Sequence, residues 1–145
     1  MTKQTLSADI ADFVQKSDAR MLAVVRNSVR DMVEDMQVPT AKGGRMRVDT
    51  GFLRATGRAA IGSMPSGPNQ KPAGAQTGQY TGHLDTYDGT ALNAVLLNLK
   101  LGDTFFWGWT AAYAPVREIY DGFMDIPIQN WQNYVNVNSE RYRGK

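Results

Sequence analysis

Between residues 7 and 36 the apolar positions Ile10, Phe13, Val14, Met21, Val24, Val25, Met32 and Met36 fall on one side of a helix drawn at about 100° per residue. Asp12, Lys16, Arg26, Asn27, Arg30 and Glu34 fall on the other. Ser7 is placed to cap the start, Asp9 and Asp12 suit the positive end of the helix dipole, and Pro39 stops the helix. At ~1.5 Å per residue such a helix is about 45 Å long, which is long for a small domain. Ser17 and Ser28 interrupt the stripe. A stripe of this length either covers the chain's own sheet, the more ordinary outcome, or runs past its core to meet a neighbouring subunit.

Beyond the helix the pattern breaks into shorter pieces. Residues 40–47, TAKGGRMR, read as a flexible basic loop. A turn or short helix is expected over 50–56 and a brief strand over 59–62. Residues 64–83 are Gly, Pro, Gln, Ser and Thr with almost nothing to bury, and read as a long mobile loop. After the Asp88-Gly89 turn, Val95, Leu97, Leu99 and Leu101 alternate with Leu96, Asn98 and Lys100, the period of a strand. Gly102-Asp103 offers a tight turn into the aromatic strand 104–110, TFFWGWT. A two-residue turn sets Leu99 opposite Phe106 and Asn98 opposite Trp107; a three-residue turn swaps that parity. Residues 111–122 connect, with a helical turn after Pro115. Asp125 and Pro127 start a last helix carrying Ile128, Trp131 and Val135, and RYRGK at the end is basic and frayed. No internal repeat is evident. These elements specify an α+β fold: one domain over residues 1–145, with a small antiparallel sheet packed against a long N-terminal helix and a shorter C-terminal helix.

Composition narrows the chemistry. The 145 residues suit one domain able to hide roughly two thirds of its unfolded surface. The net charge of +2 gives no strong reason to expect a nucleic-acid or membrane surface. There is no cysteine, which excludes disulfides, thiolate metal sites and a cysteine nucleophile. The opening MTKQTLSADIADF lacks a signal-peptide pattern, and no apolar run approaches the ~20 residues that span a bilayer. Synthesis in the cytoplasm and no membrane partner are expected.

Candidate catalytic groups are few. His83 is the only histidine and lies in a Gly/Thr loop, so a solvated side chain is the default over a hydrolase base. No nucleophile elbow and no metal-ligand spacing accompany it. Asp85, Asp88 and Asp103 are loop acids whose turn roles explain them. Lys42-Gly43-Gly44-Arg45 is basic and glycine-rich but lacks the terminal Gly-Lys-Ser/Thr of a phosphate loop. Lys42, Arg45, Arg47 and Arg58, with Arg54, form a candidate DNA-facing segment, set against the plainer reading of scattered solvated charge. No cofactor and no catalytic residue is assigned, and the chain reads as a non-enzyme.

The stretch VDTGFLRATGR, residues 48–58, reads as a corner: Asp49 or Thr50 caps, Gly51 permits the tight entry, Phe52 and Leu53 pin the turn to the core, and Arg54 and Arg58 point outward together. With the AAIG that follows, it resembles the V-D-T-G-x-L-R-x-S signature of bacteriophage neck and tail-completion proteins, related to minor tail protein Z of lambda-like phages, with Thr56 in the serine position. Tyr113-Ala114-Pro115-Val116-Arg117-Glu118 resembles that family's Y-A-x-x-V-E-x-G segment, with Gly122 the nearest glycine. The order of N-terminal helix, signature, variable loop, β hairpin, Tyr-Ala-Glu segment and C-terminal helix is similar too.

The resemblance implies a structural virion protein at the head–tail junction of a long-tailed phage, made in the host cytoplasm. It implies a homo-oligomeric ring, commonly a six-fold hexamer, that meets the tail tube or tail terminator on one side and head-closure proteins on the other, with DNA passing through its lumen. A tail terminator capping the tube is the alternative within the same resemblance. A nucleic-acid module using residues 42–58 is the alternative outside it. The motif positions Asp49, Thr50, Gly51, Phe52, Leu53, Arg54, Tyr113, Ala114 and Glu118 are then structural. An ion pair between Arg54 and Glu118 is expected to tie the two motifs together, contributing ~0–1 kcal/mol if exposed.

Overall fold

The structure, a computed structural model, describes residues 6–75, 77, 78 and 80–143. The chain runs through a long helix α1 (Leu6–Gln37), a single 3-10 turn (Thr40–Lys42), a one-turn helix α2 (Phe52–Ala55), strand β1 (Gly57–Ile61), α3 (Thr90–Asn98), β2 (Phe105–Trp109), and α4 (Ala114–Asp121), α5 (Asp125–Gln129) and α6 (Trp131–Arg141). It is an α+β fold with a long N-terminal helix, a two-stranded antiparallel sheet and shorter C-terminal helices. Of the RYRGK end expected to fray, Arg141 belongs to α6 and the Tyr142 hydroxyl accepts from the Asn27 amide at 3.0 Å; residues 144 and 145 lie outside the described residues, as do Gln76 and Gln79 of the 64–83 loop.

One element departs from the pattern reading. Residues 95–101 are not a strand paired to 104–110; Thr90–Asn98 is a helix, and β2 pairs instead with β1. The register sets Ala59 opposite Trp107 and Ile61 opposite Phe105, so the expected partners Leu99–Phe106 and Asn98–Trp107 do not form. The physical reason is in the residue types. Ala, Leu and Asn fill this segment, Val95 is the only β-branched residue after Thr90, and Leu92, Leu96 and Leu99 recur at four and three residues, the spacing that is buried. Asp88 reinforces the start by accepting the Thr90 N–H at 2.9 Å. Gly102-Asp103 still turns the chain, with Asp103 accepting the Lys100 N–H at 2.8 Å. The six residues 99–104 thus join a helix to a strand rather than two strands.

Two apolar clusters lie side by side along one face of the sheet, meeting where the Trp107 and Trp109 rings stand 5.8 Å apart. Val29 and Val33 of α1 meet Leu92, Leu96 and Leu99, with Ala59, Ile61, Phe105 and Trp107 of the sheet packed against them. Met46, Phe52, Leu53, Ala111, Ala114 and Phe123 form the second cluster, joined by Trp109. Trp109 stands edge-on to Phe123 with ring centroids 4.8 Å apart, the arrangement that aromatic quadrupoles favour.

Two arginines close helix ends. α1 and α3 carry no basic residue in their last turns, although the last four carbonyls of any helix need donors. Arg26, expected on the solvent side of α1, reaches α3 and donates to the carbonyls of Leu97 at 3.0 Å and Leu99 at 2.7 Å. Arg54 does the same for α1 by donating to the Gln37 carbonyl at 2.6 Å. At the other end α1 is already helical at Leu6, so Ser7 sits inside the helix instead of capping it.

A polar seam joins α1 to α6. Ser28, which breaks the apolar stripe, is fully buried and bonds to the Asn138 amide and the Tyr134 carbonyl. Asn138 also donates to Asp31 at 3.0 Å. Tyr134 donates its hydroxyl to Asp35. Burial first, then that bond and the charges of Asp35 and Asp31, push the Tyr134 hydroxyl well above its ordinary value of 10.0. Because its pKa is raised on folding, the contribution is fully present below the unfolded value and is lost as pH rises toward the folded one. Thermal melts are expected to fall as pH climbs above 10, and to fall less steeply in Tyr134→Phe. Equal slopes in the two proteins would remove Tyr134 as the cause.

Candidate functional site

Residues 49–54 and 113–118 come together at one corner of the domain. Tyr113 stacks toward Phe52 with ring centroids 6.3 Å apart, and Ala114 is buried in the same cluster as Phe52 and Leu53. A cleft of about 290 Å³ lies between the two segments, lined by Asp49, Thr50, Tyr113 and Arg117 together with Arg47 and Lys71. Burial raises the Tyr113 hydroxyl above its usual value and the Asp49 charge adds to this, partly offset by Leu53 backbone and Thr50 hydroxyl hydrogen bonds.

The local chain geometry follows from Gly51. It holds φ at +87°, and an added Cβ would lie 2.5 Å from both the Cβ and the backbone nitrogen of Asp85. Only glycine lets residues 82–85 approach this closely. Asp49 fastens the same returning loop: its carboxylate accepts the Gly78 N–H at 2.7 Å and its carbonyl the Gly82 N–H at 2.9 Å. The Thr50 carbonyl takes the Leu84 N–H, and the Thr50 hydroxyl accepts the Phe52 N–H at 3.2 Å in a local turn; the residue in the cap position of α2 is Gly51, not Asp49 or Thr50.

Arg54 does not point outward and does not pair with Glu118. It turns inward, with its Nη1 at 3.0 and 2.9 Å from the two carboxylate oxygens of Asp85, its Nε on the Gln37 carbonyl, and its guanidinium 5.0 Å from the centre of the Tyr87 ring. Gln37, almost wholly buried, returns a bond to the Arg54 carbonyl and accepts the Trp109 indole N–H at 2.7 Å. One side chain thereby ties α1, α2, the loop and, through Gln37, the sheet. Asp85 was readable only as a turn residue, because thirty-one positions separate it from Arg54 and nothing local marks the pairing.

Glu118 has a different duty. Its carboxylate accepts the backbone N–H groups of Met124 at 2.8 Å and Asp125 at 2.9 Å, closing the start of α5 after α4 has ended at Gly122. Removing these two bonds in Glu118→Ala is expected to cost about 1–2 kcal/mol of stability, in line with lost caps elsewhere. Urea unfolding measures it, and an unchanged midpoint would contradict the assignment.

The candidate DNA-facing arginines line three different grooves. Arg45 lines a groove with Asp35 and Tyr134, Arg58 lines another with Tyr87 and Trp107, and Arg47 lines the motif cleft and lies 3.5 Å from the buried Asp121. Lys42 ends the 3-10 turn and is exposed. Met46, between Arg45 and Arg47, is fully buried and anchors that loop. His83 is exposed, with its Nδ1 2.8 Å from the Thr81 hydroxyl two residues away, a local turn contact. Among the described residues no group of three or more His, Cys, Asp or Glu could hold a metal ion, and no helix is long and apolar enough to cross a membrane.

The first half of α1 stands apart from all of this. Residues 6–21 are exposed, Ser17 alone being partly covered, and no described residue covers the stripe of Leu6, Ile10, Phe13, Val14 and Met21. The same helix is buried at Val29, Val33 and Met36. Of the two outcomes open for the long stripe, the C-terminal half packs on the domain and the N-terminal half projects. Compared with known proteins, the chain matches no family model, no curated protein and no solved structure.

Proposed function

We propose that this chain is a structural virion protein of a long-tailed phage, a neck or tail-completion protein that assembles as a ring and joins tail to head. The observation that carries this reading is the split between a braced body and a projecting apolar arm of about 24 Å, taking ~1.5 Å per residue over residues 6–21. Exposed apolar surface of this extent marks an interaction site rather than an ordinary surface. The two stretches that resemble the neck-protein signatures support it further. Every motif side chain with hydrogen bonds at the corner makes them to backbone or to a structural partner, as a part that must hold shape under assembly would. The scatter of Lys42, Arg45, Arg47 and Arg58 over separate grooves gives a dedicated nucleic-acid module no support. DNA passage through a ring lumen belongs to the proposal without needing a basic patch.

The test is removal of the gene followed by add-back. Without the protein, filled heads and tails of normal length accumulate apart, and purified protein restores joined particles. Overlong tails would assign the terminator role instead. Normal particles without the protein would end the proposal.

A further inference from the structure

Among the described residues the sheet has two strands, so each strand has one edge with no strand beside it. The register shows which groups lie on that edge of β1. The Gly62 N–H donates to the Thr104 carbonyl at 2.9 Å, and the Thr110 N–H to the Thr56 carbonyl at 3.3 Å, both between residues directly opposite in the register. Bonded and unbonded pairs alternate along an antiparallel ladder. Arg58 and Ala60 therefore bond to β2, while Gly57, Ala59 and Ile61 turn their N–H and carbonyl groups away from it. No described residue bonds those outward groups. The edge is also weakly guarded. β1 carries no proline, pairs without a bulge, and has Arg58 as its one charged residue.

A cleft of about 540 Å³ lies beside this edge, lined by Gly57, Ala59 and Ala60. Residues 63–66 wall it on one face of the sheet, where the end of Met64 lies over Gly108. Residues 86–89 and the first turn of α3 wall it on the other, where Leu92 enters the core beside Ala59. The two charged residues in the lining, Arg58 and Asp88, are opposite in sign. A row of alternating donors and acceptors at strand spacing is matched by another extended backbone. We infer that the cleft is a docking site for an extended segment of a partner protein, which adds to β1 as a third strand. That segment is uncharged and small-sided where it meets the edge, because the lining there is small and carries no net charge. A third strand also widens a ribbon that is marginal with two. A second copy's β2 fits the cleft less well. It lies between its own core and its own residues 63–68, so it is thicker than the lone strand that the two walls admit. The site stands whether or not the chain builds a ring.

The probe is a capped heptapeptide of alternating threonine and valine, N-methylated at every second residue so that it offers one strand edge and cannot stack on itself. It is titrated into the full-length chain and followed by amide NMR. The Gly57, Ala59 and Ile61 N–H groups are expected to shift and gain protection from exchange, while those of Arg58 and Ala60, already bonded to β2, change little. The same peptide N-methylated throughout should bind at least about tenfold more weakly, the equivalent of roughly two lost hydrogen bonds. Equal binding of the two peptides would overturn the proposal, because strand pairing needs the free amides. Shifts at Tyr87 and Gly89 without the alternation along β1 would overturn it too, by making the cleft a pocket for a different kind of ligand. So would a failure of the probe to bind. Protection of Gly57, Ala59 and Ile61 in the free protein that fades on dilution would give the edge to a second copy and reject a foreign strand.

Discussion

Gly51→Ala is expected to lower stability by about 3 kcal/mol, a drop in melting temperature of roughly 6–12 °C for a chain of this size. Two effects combine. A residue with a Cβ held at φ +87° costs about 1–2 kcal/mol in the left-handed region. The new Cβ also meets Asp85 backbone at 2.5 Å, so the loop must shift and loosen the bonds from Arg54 to Asp85, which as charge-assisted bonds are worth about 1.5–3 kcal/mol. Gly43→Ala is the control. That residue has φ +86° and no atom near enough to meet a Cβ, so it should show the conformational cost alone. Equal losses at Gly43 and Gly51 would mean that close approach to Asp85 is not what Gly51 provides.

Arg54→Ala is expected to cost about 3–5 kcal/mol, the range for breaking a buried ion pair by removing one partner. Arg54 and Asp85 are both about four-fifths buried, so solvent screens the loss little. The variant strands the Asp85 carboxylate, leaves the Gln37 carbonyl at the end of α1 without its donor, and removes the cation above Tyr87. Burial raises the Tyr87 hydroxyl first, and the Arg54 charge works in the opposite direction, so its loss should raise that hydroxyl further. Arg54→Lys should recover little, since an ammonium on one stem cannot serve Gln37 and the Asp85 carboxylate at once. Gly51→Ala and Arg54→Ala act on one network, so the double variant should lose clearly less than the two single losses combined. Additive losses would separate the two residues.

What could be read in advance, and what could not, divides along physical lines. α1, α2, both strands and the α4–α6 run are marked by local signals: Pro39 after α1, Thr50 and Gly51 before α2, aromatics in β2, Pro115 and Pro127 at helix starts. These signals act over a few residues, and so does the sequence that carries them. Residues 95–101 misled because apolar runs of Leu satisfy both periods, and the alternation hides the Leu92, Leu96, Leu99 spacing that is buried. The partner of β2 was hidden for the same reason, since with 95–101 read as a strand the neighbouring segment claimed the pairing. The partners of Arg54 and Glu118 were illegible in a different way. Both were recognised as motif positions, but one pairs with Asp85 and the other caps α5, and no local pattern distinguishes these from a bond between the two. The apolar stripe left two outcomes open, and the one favoured in advance, coverage of the chain's own sheet, holds only for its C-terminal half, while Leu6, Ile10 and Phe13 are exposed.

The central claim is that this protein sits where head meets tail, and location tests it most directly. A tag placed after Lys145, detected with a gold label on purified particles, is predicted to mark the head–tail junction alone. A label absent from finished particles, or spread over heads or along tails, would contradict the account.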